Sequence, residues 1–412
     1  MTPSTNTNQS AIVMFQTRIQ FSLFEGDWVN RLFASIGVGG RRARDLAARC
    51  LILVGLTWVP LAVLAFLGGV SKGPGGENFF KDIAAYMQLV LGLPLFVVAE
   101  RIVSAHTRQA ASQFVSTGAI RHRDATRLSK FYSTIERLRK SITSDLVCVA
   151  IAYFLSVMTI LPMIDDEKQT WHAYIPEGGI HEILSAAGWW EFLVALPLLN
   201  YWWLRWIWKI ILWSWYLFRL SRFRLRLLAS HPDRTGGIGF LSDVQTRFGL
   251  VIFAYGITNV ASTIAYKMVF EGATLAHHSV WGPLVGFLIG APLLFTVPLF
   301  MFTKQLHRAK KRAVERYHKR AIERAAAFEQ KWLEPRSHGR HDPVGEAELT
   351  GLSNLNAVYD HIRKMRVVPI DARSFLGLTM QTAGSLAPLL PYLDIPEPNL
   401  KMLESLYKAL AH

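Results

Sequence analysis

Apolar residues along this chain fall into long uninterrupted blocks rather than the spaced stripes of a soluble core. Six blocks approach or exceed the roughly 20 residues a helix needs to cross a bilayer. They lie near residues 47–69, 83–99, 146–164, 188–218, 248–266 and 281–303. A weaker block, 374–393, is interrupted by Thr379, Gln381, Thr382, Ser385, Pro388 and Pro391. It reads as a buried or interfacial hairpin or as a seventh span. The pattern predicts an all-α polytopic transmembrane helical bundle of about six spans with a helical extension outside the membrane.

Polar segments between the blocks divide into two kinds. Residues 104–143 hold eight Lys and Arg, and residues 219–247 hold six Arg. The intervening segments differ: 165–187 carry five acids and one lysine, 267–280 carry only Lys267 and Glu271 as charges, and 68–82 are neutral overall. Cytoplasmic loops collect Lys and Arg, so the alternation puts the N-terminus and, for six spans, the C-terminus in the cytoplasm. Most of the net charge of +15 is thereby assigned to a face that meets anionic lipid headgroups. That assignment removes the case for nucleic acid as a partner.

Outside the spans the chain divides into four pieces. Residues 1–46 include an amphipathic stretch from Ile12 to Ile36 suited to lie on the inner leaflet. Residues 304–334 form a basic amphipathic helix with the apolar stripe Val314, Tyr317, Ala321, Ala325, Phe328 and Trp332, a surface for a cytoplasmic protein partner. A linker, 335–350, leads to a C-terminal helical region, 351–412.

Chemistry-bearing residues are sparse. Arg205 and Lys209 stand four apart among tryptophans, as snorkelling cations at an interface would. Glu100 closes the second block, and no Asp or Glu lies at mid-depth, which weakens coupled transport. The neutral polar residues Gln88, Asn200, Asn259, Ser262 and Thr263 can bridge helices or line a wet path. Gly282, Gly286 and Gly290 recur every fourth residue, a face for tight packing, for a second copy of the chain or for a pore. His277 and His278 have no third ligand at helical spacing, and no nucleophile, HExxH or paired-carboxylate motif occurs. No enzyme, metal or cofactor is expected. Cys50 and Cys148 read as packing residues.

The most distinctive segment is the loop after the fourth block, His231-Pro232-Asp233-Arg234-Thr235-Gly236-Gly237-Ile238-Gly239-Phe240-Leu241. Asp233 is suited to cap the next helix, where Asn would serve about as well. Gly236, Gly237 and Gly239 permit unusual backbone, and Arg224 and Arg234 add charge, so a phosphate or lipid headgroup is a candidate ligand. The segment resembles an uncharacterised family of bacterial multi-pass inner-membrane proteins with a His-Pro-Asp-x-x-Gly-Gly-x-Gly-Phe-Leu loop after an aromatic-basic helix. The resemblance extends to Met365-Arg366-Val367-Val368-Pro369-Ile370-Asp371. It implies architecture and a bacterial inner membrane, and no mechanism. The loop is also superficially similar to that of J-domain co-chaperones, which need a soluble hairpin that flanking spans leave no room for. Two functions fit: a channel or passive transport protein, slightly favoured, or a non-transporting scaffold or regulator.

Overall fold

The computed structural model describes residues 28–40, 42–68, 79–120, 124–164, 171–174, 183–270, 277–332 and 346–392. These are almost entirely helical, with one two-residue hairpin, β1 (Ala173–Tyr174) and β2 (Ile183–Leu184). We number the helices α1 (Trp28–Ser35), α2 (Ala43–Leu67), α3 (83–116), α4 (Ala125–Arg139), α5 (Ile142–Ile164), α6 (186–220), α7 (240–270), α8 (His278–Thr296), α9 (Thr303–Trp332), α10 (Glu346–Arg363) and α11 (Ala372–Gly384). Five continuous helices, starting at Ala43, Ile83, Ile142, Phe240 and His278, are long and apolar enough to cross a membrane. The chain is therefore a multi-pass membrane protein. The fourth apolar block becomes α6, whose arginine, lysine and many tryptophans lower its hydropathy. α6 is central in the bundle, with Trp202, Trp206, Trp213 and Tyr216 buried among its neighbours.

Three helices contain a π-helical stretch: Tyr86–Gly92 in α3, Glu191–Ala195 in α6 and Gly256–Ala261 in α7. The stretches of α3 and α7 pack against each other. A Cβ on Gly92 would collide with the Thr258 side chain, and one on Gly256 with Ser385. These glycines are where helices nearly touch. Gly282, Gly286 and Gly290 do not pack inside the subunit, because a Cβ there would meet nothing within 4 Å. Spacing alone could not separate the two sets, since a glycine face serves any close neighbour.

The weak C-terminal block is not a hairpin over the described residues. Asp371 bonds to Ser242 at the start of α7. α11 then runs beside α7 and α8, and its 3₁₀ continuation, Ala387–Tyr392, reaches the 262–270 part of α7. Its polar side chains turn inward: Thr382 is buried and bonds to Leu378 O, and Gln381 donates to Thr246 O. A segment with its polar atoms satisfied inside protein can run at membrane depth without a continuous apolar surface.

In α1, Val29 and Phe33 are buried against the bundle, while the part of the proposed interfacial stretch before Trp28 lies outside the described residues. α9 extends α8 through a 3₁₀ turn, Val297–Phe302, and packs along α10. Val314, Tyr317, Ala321, Ala325 and Phe328 are half-buried, while the C-terminal region begins at Glu346, inside the expected linker.

Overpacking a close approach costs about 1–3 kcal/mol or more. Gly256→Leu should therefore lower the thermal unfolding midpoint of the purified protein by several degrees. Gly286→Leu, pointing into open space, should leave the stability of a single subunit unchanged.

Candidate functional site

The residue pattern 222–228, Arg-Phe-Arg-Leu-Arg-Leu-Leu, alternates cation and apolar side chain. α6 ends at Leu220, Arg222 and Phe223 lie in the turn that closes it, and residues 224–228 are irregular, so the run is not a basic helix. Phe223 is buried and Leu225 and Leu227 half-buried, while Arg222, Arg224 and Arg226 stand exposed on the other face, as a two-residue period requires. Gln305 donates through Nε2 to Ser221 O and to Phe223 O, fixing the first turn of α9 beside this run. Between them opens a cleft of about 1470 Å³. One wall carries Arg222, Arg224 and Arg226, and the other Lys304, Arg308, Arg312 and Arg316. Sequence reasoning took the apolar stripe of α9 and missed this cationic face, although its four-residue spacing is a legible signal.

The glycine-rich turn next to the cleft binds an anion of its own. Asp233 Oδ1 accepts from Thr235 N at 2.9 Å and Gly237 N at 3.1 Å, and Oδ2 accepts from Gly237 N at 3.0 Å and Gly239 N at 2.9 Å. Gly236 and Gly237 have φ of 73° and 92°, and Arg234 also has a positive φ, 55°. Asp233 is not the N-cap of the next helix; that position is Gly239, whose N–H the carboxylate binds. The nest of N–H groups is therefore filled from within. His231 Nδ1 lies 2.9 Å from Asp233 Oδ1. His361 bonds to His231 O at 2.8 Å, and Arg366 N donates to Arg234 O at 2.7 Å, tying the turn to the end of α10. Of the residues expected to hold an external anion, only Arg224 lines the cleft. His231, Arg234, Gly236, Gly237 and Gly239 build the turn instead.

Four of the five intramembrane polar residues, Gln88, Asn200, Asn259 and Ser262, find hydrogen-bond partners within the bundle. Gln88 donates to Ser262 Oγ at 3.2 Å, joining α3 to α7. Asn200 donates to Ser156 Oγ at 3.1 Å, joining α6 to α5. Asn259 donates to Thr258 Oγ1 at 2.8 Å within α7, and Thr263 is exposed on the bundle's periphery.

Arg205 and Lys209 do not snorkel. They are 4% and 3% exposed and converge on Glu100. Arg205 Nη1 lies 3.0 Å from Glu100 Oε2, and Lys209 Nζ lies 3.2 Å from Oε1. Asn30 of α1 adds a bond to Oε1 at 2.9 Å and in turn accepts from Arg49 of α2 at 3.1 Å. Glu100 is thus the centre of a charged cluster joining four helices. It was not legible in the sequence because its partners lie 105 and 109 positions away.

A second polar group lies at the end of the bundle opposite the cleft. Trp171 donates to Asp82 Oδ2 at 3.1 Å, and His172 Nδ1 sits 2.5 Å from Glu191 Oε2. Asp82 also caps the start of α3 through Ala84 N, so its partners are structural ones. His277 likewise caps α8 by accepting from Ser279 N. Among the described residues no three metal-ligating side chains come together. His338 and His341 lie outside the described residues. No family profile matches the chain, and comparisons with curated proteins and with solved structures likewise find no match.

Partial burial tends to raise the Asp233 carboxyl, but the N–H groups of Thr235, Gly239 and Gly237 outweigh it and hold its pKa below the usual carboxylate value. A carboxyl depressed on folding stabilises the fold above its unfolded pKa near 4. That contribution is lost as pH falls through the folded value. Both oxygens are used, so Asn is not equivalent: its amide N–H₂ would face a backbone N–H. Asp233→Asn should cost about 1–3 kcal/mol at neutral pH. Its difference from wild type should shrink in melts below pH 4. Glu100→Ala, leaving two buried cations, should be worse, about 3–5 kcal/mol by denaturation in detergent.

Proposed function

We infer that this chain is a non-transporting membrane scaffold or regulator that presents a basic, ligand-receiving surface to the cytoplasm. The observation that carries the reading is the cation-lined cleft between residues 222–228 and α9. The hydrogen-bonded state of Gln88, Asn200, Asn259 and Ser262 supports it, since residues committed to partners inside the bundle are poorly placed to solvate a passing ion. α9 already packs along α10 of the same chain, with Tyr359 Oη 3.3 Å from His318 Nδ1. A protein partner would therefore meet the outer faces of that helix pair, which expose Ile322 and Leu349.

The channel reading keeps one specific support. The open face of Gly282, Gly286 and Gly290 allows a second copy to approach, and a path between copies would leave no trace within one subunit. Liposomes containing the purified protein should pass cations, anions and small neutral solutes no faster than empty ones. Selective flux, abolished by Gly286→Leu together with a loss of oligomeric size, would establish the channel instead.

The orientation that fits this reading puts the basic end in the cytoplasm of a bacterial inner membrane, together with the N-terminus. α6 then counts as a span, and the run 372–392 as a seventh, ending on the far side. In a variant lacking Cys50 and Cys148, cysteines at Arg123 and Arg234 should label only from the cytoplasm. Cysteines at Asp165, Glu271 and Tyr392 should label from outside. Cytoplasmic labelling of Tyr392→Cys alone would make the last segment re-entrant.

A further inference from the structure

The cleft beside α9 is built from two ladders of like charge. Arg222, Arg224 and Arg226 recur every second residue along the run that follows α6, and Lys304, Arg308, Arg312 and Arg316 every fourth on a helix. Each spacing places cations side by side on one face, where they repel. Among the described residues, no carboxylate lies within ion-pair distance of any of these seven. The one acid on the wall, Glu315, stands 4.0 Å from Lys311. By contrast the buried cations Arg205 and Lys209 do have an internal partner, and the Asp233 turn supplies its own anion. The cleft thus gathers cations without a carboxylate to neutralise them; Arg222 is met by the ring of Phe218, 4.8 Å from its Cζ, and Arg312 by Arg308 O at 3.2 Å.

The rest of the lining says where the anion comes from. Phe218 and Met301 sit at the ends of α6 and of the α8 rod, where the apolar belt gives way to cations. Phe223, Ala309, Ala313 and Tyr317 continue the apolar surface between the two ladders. Moving from the belt into the cleft, a ligand meets hydrocarbon first and guanidinium groups next. That is the order of acyl chain, glycerol and phosphate in a phospholipid. The volume, about 1470 Å³, is far more than one phosphate group fills. Guanidinium forks match phosphate oxygens in pairs, which a lone ammonium does not. We propose that this cleft binds the phosphate headgroup of an anionic phospholipid from the adjoining leaflet. Arg222, Arg224, Arg308 and Arg312 grip the phosphate, and Phe218 and Met301 meet the acyl-glycerol portion. Such a lipid is the ligand of the basic surface on which the proposed function rests.

The test uses the full chain in nanodiscs of phosphatidylcholine alone or with phosphatidylglycerol, followed by thermal unfolding. Wild type should melt several degrees higher with phosphatidylglycerol, and the gain should shrink with added salt. The cleft variant Arg222→Gln/Arg224→Gln/Arg308→Gln should melt no lower than wild type in phosphatidylcholine, since neutralising it relieves repulsion, and should lose the gain. The control Lys319→Gln/Arg320→Gln/Arg324→Gln removes as many cations farther along α9 and should keep it. If the first variant does not fold, Lys304→Gln/Arg312→Gln carries the same expectation. An equal gain in the cleft variant, or an equal loss in the control, overturns the site. Sodium pyrophosphate added to phosphatidylcholine discs is the last arm. Stabilisation by it as strong as by phosphatidylglycerol would make a soluble phosphate compound the ligand and overturn the lipid assignment.

Discussion

A carboxylate buried under two cations fixes this bundle. Glu100 lies in a low-dielectric interior, where an unpaired charge of either sign costs several kcal/mol, a large share of a domain's stability. Arg205 and Lys209 must meet it, and each can do so at only one rotation and one height of α6 against α3. Asn30 extends the same requirement to α1, and Arg49 to α2. The tryptophans of α6 then fall into place around the ions. Trp202 lies over Arg205 and Trp206 over Lys209, with ring centroids 4.7 and 5.6 Å from the charges. Aromatic faces disperse cationic charge where water cannot.

With α6 fixed, the basic end follows from its register. The helix runs out at Leu220, and the alternating run that follows buries Phe223 and turns three arginines outward. Gln305 locks this run to α9. The Asp233 turn reverses the chain into α7 without borrowing charge from outside, and His361 and Arg366 pin it from the C-terminal side. A self-satisfied turn and an unsatisfied cleft thus lie next to each other. The contrast between them separates structure from a binding surface better than the arginine count of either.

On the other side of the bundle the constraint is steric. π-Helical turns in α3 and α7 face each other, where Gly92 leaves room for Thr258, and Gly256 of α7 leaves room for Ser385 and Phe287. α11 fills the groove beside them, with Gln381 against Gly249 and Ser385 against Gly256. Serine and threonine hydroxyls there bond back to their own helices, as Thr258 does to Ala254 O and Ser385 to Thr382 O. Polar composition at membrane depth therefore accompanies tight packing and does not by itself define a path.

The sequence by itself determined the class of protein, because apolar block length is a local property that the bilayer tests directly. It located most of the helices and the apolar stripe of α9. The arginines at 222, 224 and 226 were likewise visible as neighbours along the chain. What the tertiary structure alone decided were the relations between distant residues. Arg205 and Lys209 look like interfacial cations until Glu100, more than a hundred positions earlier, is brought beside them. Gly282, Gly286 and Gly290 have the spacing of a contact face and no contact within the subunit, while Gly92 and Gly256 have close contacts and no such motif. The weak block after Ala372 became part of the bundle because α7 and α8 offered its polar atoms cover, which composition cannot register. Local chemistry sets which segments can enter a membrane; only packing sets which charges and glycines meet there, since those energies belong to pairs.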